Sequence, residues 1–173
     1  MIIDVFRDYV IPALNEDREV KAHYVWGDSS YIRENLLALK KSSTTAPFRF
    51  PLIGLYAPVD EKVNGDGSID VSLNIILAVN TLPQYTNEQR LDISFKEVLR
   101  PLYEDFMTAI TESRMFVIPY NGVLPHTFTE NYSFGRRGAL DVDGKEMDEK
   151  IDAIEIKNLE LTIKNLNCYA KRL

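Results

Sequence analysis

The segment Ser68 to Val79, "SIDVSLNIILAV", constrains the fold more than any other part of the chain. Ile69, Val71, Leu73, Ile75, Leu77 and Val79 recur with period 2, while Asp70, Ser72 and Asn74 take alternate positions. Successive strand side chains point to opposite faces, so this pattern predicts a long strand with one apolar face on a core. Phe48 to Pro58, "FRFPLIGLYAP", is apolar in both phases. That suits a central strand, with Pro51 at its start or on a bulge. The short polar link between the two segments predicts an antiparallel hairpin.

Helical spacing governs much of the rest. Ile2, Ile3, Phe6, Val10, Ile11 and Leu14 predict an opening amphipathic helix that Pro12 kinks, or near whose end Pro12 sits. "DSSYIRENLLALKK" predicts a second helix, capped by Asp28, Ser29 or Ser30 and striped by Ile32, Leu36 and Leu39. Its Lys40 and Lys41 sit at the end that favours cations. "TNEQ", Thr86 to Gln89, has capping-box spacing. Leu91, Phe95, Val98, Leu102, Phe106 and Ile110 then mark a long helix that Pro101 kinks, or splits after Arg100.

"HYVWG" reads as a short strand or turn, and "MFVIPY" as a short strand. "DAIEIKNLELTIK" reads as a long strand whose apolar phase switches between Ile156 and Leu159, which predicts a bulge or bend near Lys157 and Asn158. Residues 121–150 carry no long apolar pattern and read as a long interaction loop. Together these features predict an α+β domain spanning residues 1–173, an antiparallel or mixed β-sheet with helices packed on one face.

Composition narrows the function classes. The chain is 45% hydrophobic, enough for a real core. Its formal charge of −6 and pI near 5.0 argue against a dedicated nucleic-acid binder, which needs a strongly basic surface. Cys168 is the single cysteine, so no intramolecular disulfide or cysteine metal cluster is expected. The first residues lack a basic region before their apolar stretch, and no apolar run reaches the roughly 20 residues of a membrane helix. The expectation is a soluble protein of a cytoplasm, in which "NYS" at Asn131 is not a glycosylation site.

"VNGDGSIDVSL", Val63 to Leu73, resembles half of a calcium-binding loop. An EF-hand loop needs a carboxylate at position one and a bidentate Glu at position twelve, and here Lys62 and Leu73 stand there. A strand also follows where an EF-hand needs a helix. The stretch is better read as a hairpin turn built from residues that tolerate positive φ, which presents Asp66 at one rim of the domain. "DVDGKEMDE", with Asp141 and Asp143, reads as a solvated turn. His23 and His126 have no second ligand at metal spacing, and His126 beside Pro125 reads as a loop-ordering residue. No nucleophile-elbow, Walker or dinucleotide-binding pattern is present. Neither catalytic residues nor a cofactor or metal site are therefore assigned. "FGRRG" sets Phe134, Arg136 and Arg137 in the long loop. Two readings fit: arginines that reach an acidic or phosphate-bearing partner, or a surface turn charged for solubility.

The succession "FPLIGLYAP", "VSLNIILAVNTLPQYTNEQR", "FKEVLRPLYEDFMTAI" and "DAIEIKNLELTIK" resembles small virion proteins of tailed bacteriophages. The group is that of head-tail connector, tail-terminator or tail-completion ring proteins, as in crAss-like and other phages of Bacteroides-type bacteria. The resemblance covers roughly residues 48–164. It implies a tail-terminator-like fold and a homo-oligomeric ring at the head-tail junction or tail end. DNA would pass the lumen without sequence-specific contact, and an acidic lumen would let it slide. The implied partners are further copies of the chain and the portal, adaptor or tail-tube proteins, with no membrane and no cofactor. Phe134, Arg136, Arg137, Asp66, Asp141 and Asp143 become candidate interface residues, and the opening helix a candidate to pack across a subunit boundary. Two other classes stay open. One is a small soluble enzyme with a dispersed carboxylate or metal site; the other is a non-viral binding module that adds a strand through a sheet edge.

Overall fold

The computed structural model describes residues 1–40, 44, 46–134 and 150–164. Helix α1 covers residues 2–15, α2 is Ser29–Lys40 and α3 covers residues 87–112. The strands are β1 (His23–Gly27), β2 (Leu52–Tyr56), β3 (Glu61–Val63), β4 (Ile69–Thr81), β5 (Thr127–Phe134) and β6 (Lys150–Ile163). They form one six-stranded sheet in the order β1-β2-β4-β6-β5, with β3 also on β4. β1 and β2 run parallel, and every other pair is antiparallel. The α+β class with a mixed sheet is therefore what the chain adopts.

The expected hairpin is present with one refinement. β3, not β2, meets β4 across the turn, pairing Val63 with Ile69. β2 takes the same edge of β4 further along, pairing Leu52 with Ala78.

Both prolines sit inside continuous helices, Pro12 near the end of α1, as one of the two expectations for it has it. The turn before each is π-helical, at Phe6–Val10 ahead of Pro12 and at Leu91–Leu99 ahead of Pro101. A helical proline crowds the carbonyl four residues back. Here the preceding Ile11 amide bonds the Phe6 carbonyl, and the Arg100 amide bonds the Phe95 carbonyl, both five residues back. The widened turn relieves the crowding and lets the helix continue. On α3 the buried residue is accordingly Leu99, while Val98 is half-exposed. The capping box at its start forms as expected, with Thr86 Oγ1 accepting from the Gln89 amide and Gln89 Oε1 from the Thr86 amide.

Two apolar clusters lie on opposite faces of the sheet. The larger joins Phe6, Val10, Phe95, Leu99 and Phe106 from α1 and α3 to Ile53, Leu55, Leu73, Ile75, Leu77, Ile154, Ile156 and Leu159. The smaller joins Ile32 and Leu36 of α2 to Val25, Leu52, Ile76, Ala78, Ile151 and Ala153. Helices thus pack on both faces, and the expectation of one helical face is corrected by α2. Gly54 permits this approach, because a Cβ there would lie 2.8 Å from Ile76 Cγ2 and 3.3 Å from Ile32 Cδ1.

The predicted bulge in the last strand is present. Leu73 pairs with Leu159 and Ile75 with Ile156, so Lys157 and Asn158 together oppose Asn74. Asn158 takes a left-handed φ of 53°, and its amide donates to Asn74 Oδ1 at 3.1 Å. The extra residue returns Leu159, Leu161 and Ile163 to the same core as Ile154 and Ile156.

The expected loop over residues 121–150 is interrupted by a strand, and its residues 135–149 lie outside the described residues. Thr127–Phe134 form β5, an edge strand on β6. "MFVIPY" makes a single antiparallel bridge, from Phe116 to Ile163, in place of the expected strand.

Candidate functional site at the open edges of the sheet

The turn between β3 and β4 is built from its own side chains. The Asn64 amide donates to the Ser68 carbonyl at 2.8 Å, and the Gly67 amide to the Asn64 carbonyl at 2.9 Å. Gly67 supplies a φ of 80°. Asp66 Oδ1 accepts from the Ser68 amide at 2.9 Å and its hydroxyl at 2.6 Å, which holds the carboxyl below its ordinary range. Asp66 therefore organises the hairpin tip, beside Val63, which is exposed. The Asp70 carboxyl is likewise held low, first by Asn64 and then by the Thr162 hydroxyl at 2.7 Å.

Among the described residues, β1 and β5 stand at the two ends of the strand order with one neighbour each; β3 likewise pairs only with β4. On β1 the His23 amide donates to the Pro51 carbonyl at 2.8 Å, and the Gly27 carbonyl accepts from the Ala57 amide at 2.9 Å. Alternation along the strand then turns the main-chain groups of Tyr24 and Trp26 outward. A cleft of about 510 Å³ runs along this edge, lined by Tyr24 to Asp28 with Tyr31 and Asn35 of α2. Trp26 and Tyr31 are exposed at 46% and 52%. Asp28 caps α2, with its Oδ1 accepting from the Tyr31 amide at 2.8 Å. The Tyr24 hydroxyl is buried with no hydrogen-bond partner among the described residues. Burial pushes it well above the ordinary phenol range, with Arg7 opposing and Asp4 adding.

β5 is held firmly on its inner side. Arg90 of α3 donates to Asp152 of β6 and to the Tyr132 carbonyl of β5, and its guanidinium lies 5.4 Å from the Tyr132 ring. Arg100 Nε donates to Glu130 Oε1 at 2.7 Å. Tyr132 stacks on Phe95 at 4.3 Å between ring centres. Near the start of the strand, Tyr103 Oη lies 2.8 Å from His126 Nε2, and His126 Nδ1 lies 2.7 Å from the Leu124 carbonyl. A carbonyl only accepts, so Nδ1 donates to it, while Nε2 and the Tyr103 hydroxyl share the other hydrogen bond. Both ring nitrogens are engaged, and His126 orders the turn into β5. Phe128 lies edge-on to Tyr103 at 5.0 Å and is 41% exposed.

Of the residues singled out in the sequence, Asp66 lies at the hairpin tip and Phe134 at the end of β5. Phe134 pairs with Ile151 and packs on the smaller cluster, so the start of "FGRRG" is an anchor in the sheet. Arg136, Arg137, Asp141 and Asp143 lie outside the described residues. Asp66 and Phe134 are not brought together: one belongs to the β3–β4 turn, the other to the opposite edge strand. The β1 edge has a single signal in the sequence, the aromatic density of "HYVWG". The Arg90–Asp152 pair has no local signal, because its partners are 62 residues apart.

Among the described residues, no group of three or more His, Cys, Asp or Glu is placed to hold a metal ion. No helix there is long and apolar enough to cross a membrane. No protein-family model matches the chain, and no curated protein matches it significantly.

Proposed function

We propose that the chain is a structural virion protein that assembles into a ring, as a head-tail connector or tail terminator of a tailed phage. The observation that best supports this reading is the pair of end strands of one sheet that have no outer partner among the described residues, each carrying an exposed aromatic, Trp26 and Phe128. An open edge is a template for another chain, and monomeric proteins usually cover or charge such edges. A chain with two unlike sticky ends closes into a ring when one rotation relates each copy to the next. The sequence resemblance points to the same class. The −6 charge suits a channel through which DNA slides. In this role the chain needs no cofactor; its work is oligomerisation and docking to portal, adaptor or tail-tube proteins.

Electron microscopy of the purified protein tests the proposal. Rings with a central channel are expected, either alone or on adding portal or tail-tube proteins. Uniformly monomeric particles under both conditions would overturn it.

A further inference from the structure

The two open edges are complementary to one another in direction. β1 runs parallel to β2, β2 antiparallel to β4, β4 antiparallel to β6, and β6 antiparallel to β5. β1 and β5 therefore point in opposite directions. When a second copy is placed beside the first with its strands running the same way, as rotation about a ring axis along the strands requires, β5 of one copy meets β1 of the next antiparallel. That is the pairing whose ladder bonds are straight rather than slanted.

The side chains agree in phase. Tyr24 packs on the larger cluster, so Tyr24 and Trp26 share the α1/α3 face of the sheet. Phe128 pairs with Ile156 and Glu130 with Ile154, which puts Phe128, Glu130 and Tyr132 on that same face. Joining the edges brings Trp26 of one copy alongside the exposed ring of Phe128 in the next, a favourable cross-strand combination. The outward main-chain groups of Tyr24 and Trp26 gain partners, inside a cleft that already runs the length of β1.

We infer that the outer edge of β1 receives β5 of a second copy in antiparallel register, so that the sheets of neighbouring copies continue into one another. One heterologous contact of this kind consumes both ends of the strand order, β1 and β5. A two-fold contact of β1 with β1, or of β5 with β5, leaves the other edge of every copy open. The inference rests on the ring reading.

Cysteine cross-linking in a Cys168→Ser background tests it. Trp26→Cys is combined in one chain with Phe128→Cys or Glu130→Cys, the two neighbouring registers that keep the shared face, and the protein is oxidised mildly. Facing residues of antiparallel strands lie about 4.5–5.5 Å apart at Cα, within disulfide reach. The expected result is a ladder of covalent oligomers for at least one pair and none for any single-cysteine chain. Covalent dimers from Trp26→Cys alone would place β1 against β1 and overturn the inference. An oligomeric native mass with no cross-link from any pair would overturn it while leaving the ring reading standing, whereas a monomeric native mass both alone and with portal or tail-tube proteins would overturn both. As a second variant, Trp26→Pro removes an outward amide and leaves the residues bonded to β2 alone. Loss of the oligomer with an unchanged circular dichroism spectrum is expected. A folded Trp26→Pro chain that remains oligomeric contradicts the inference. Should proline unfold the chain, the cysteine pairs read the same contact without it.

Discussion

Arg90 on α3 and Asp152 on β6 form an ion pair closed off from water, with side chains 4% and 0% exposed. Asp152 pairs across the sheet with Val79, on the face that α3 covers. Arg90 also reaches the Tyr132 carbonyl, so one guanidinium ties the helix, an inner strand and the edge strand β5 together. Removing one partner strands a buried charge, which costs about 3–5 kcal/mol. Asp152→Ala and Arg90→Ala are each expected to lower unfolding free energy by that amount, read by urea denaturation. The double replacement Arg90→Met with Asp152→Leu should recover much of the loss, because neither charge is then stranded. A single alanine variant as stable as the parent would contradict the assignment.

The bulge opposite Asn74 makes a second, sharper claim. Asn158 is left-handed at φ 53°, a region that β-branched residues avoid. Asn158→Val is expected to destabilise by about 1–3 kcal/mol, while Asn158→Gly stays within about 1 kcal/mol of the parent. Thermal melts of the two variants check the order, and equal melting temperatures would contradict it.

Packing of α2 on the second face can be tested at one atom. A methyl group at Gly54 would meet Ile76 Cγ2 at 2.8 Å. Gly54→Ala is expected to cost about 1–3 kcal/mol through overpacking, partly relieved by adding Ile76→Ala. A neutral Gly54→Ala would contradict the close approach of Ile76 and Ile32 to this backbone.

These variants also mark what the sequence could and could not disclose. The bulge is legible, because Ile154 and Ile156 share one phase and Leu159, Leu161 and Ile163 the other. The position of α2 is not, since a stripe of Ile32 and Leu36 specifies a buried face without naming the surface that buries it. The available hint is the apolar pair Ile76 and Ala78, which follows Asp70, Ser72 and Asn74 in the alternate phase of β4. β5 is hidden because "TFTENYSF" sets Glu130 among the aromatics of its inner phase. That charge reads as solvent-facing until Arg100 is seen beside it. The π-helical turns ahead of Pro12 and Pro101 are hidden for a similar reason: a π-turn is a backbone remedy that leaves no residue signature. At the candidate site, the edge strands are defined by the partners they lack, and one-dimensional patterns do not carry that information.

Acid should loosen the hairpin tip first. Asp66 and Asp70 have folded-state values below their ordinary 3.8, held there by hydrogen bonds from Ser68 for Asp66, and from Asn64 and then Thr162 for Asp70. For a depressed carboxyl the stabilisation is present above the ordinary value and is lost as pH falls through the folded one. Hydrogen exchange of residues 61–73 is therefore expected to accelerate, relative to β6, as pH drops below about 4. Ser68→Ala should weaken that dependence by removing a donor to Asp66. A pH-independent exchange ratio would contradict the turn's electrostatics.

Native mass measurement bears most directly on the ring itself. The chain has a mass of 19.8 kDa. The account predicts a defined integer multiple of that mass, alone or on mixing with portal or tail-tube proteins, which collapses to the single-chain value when the β1 edge is blocked by Trp26→Pro. A single-chain mass at every concentration and with every such partner would contradict it.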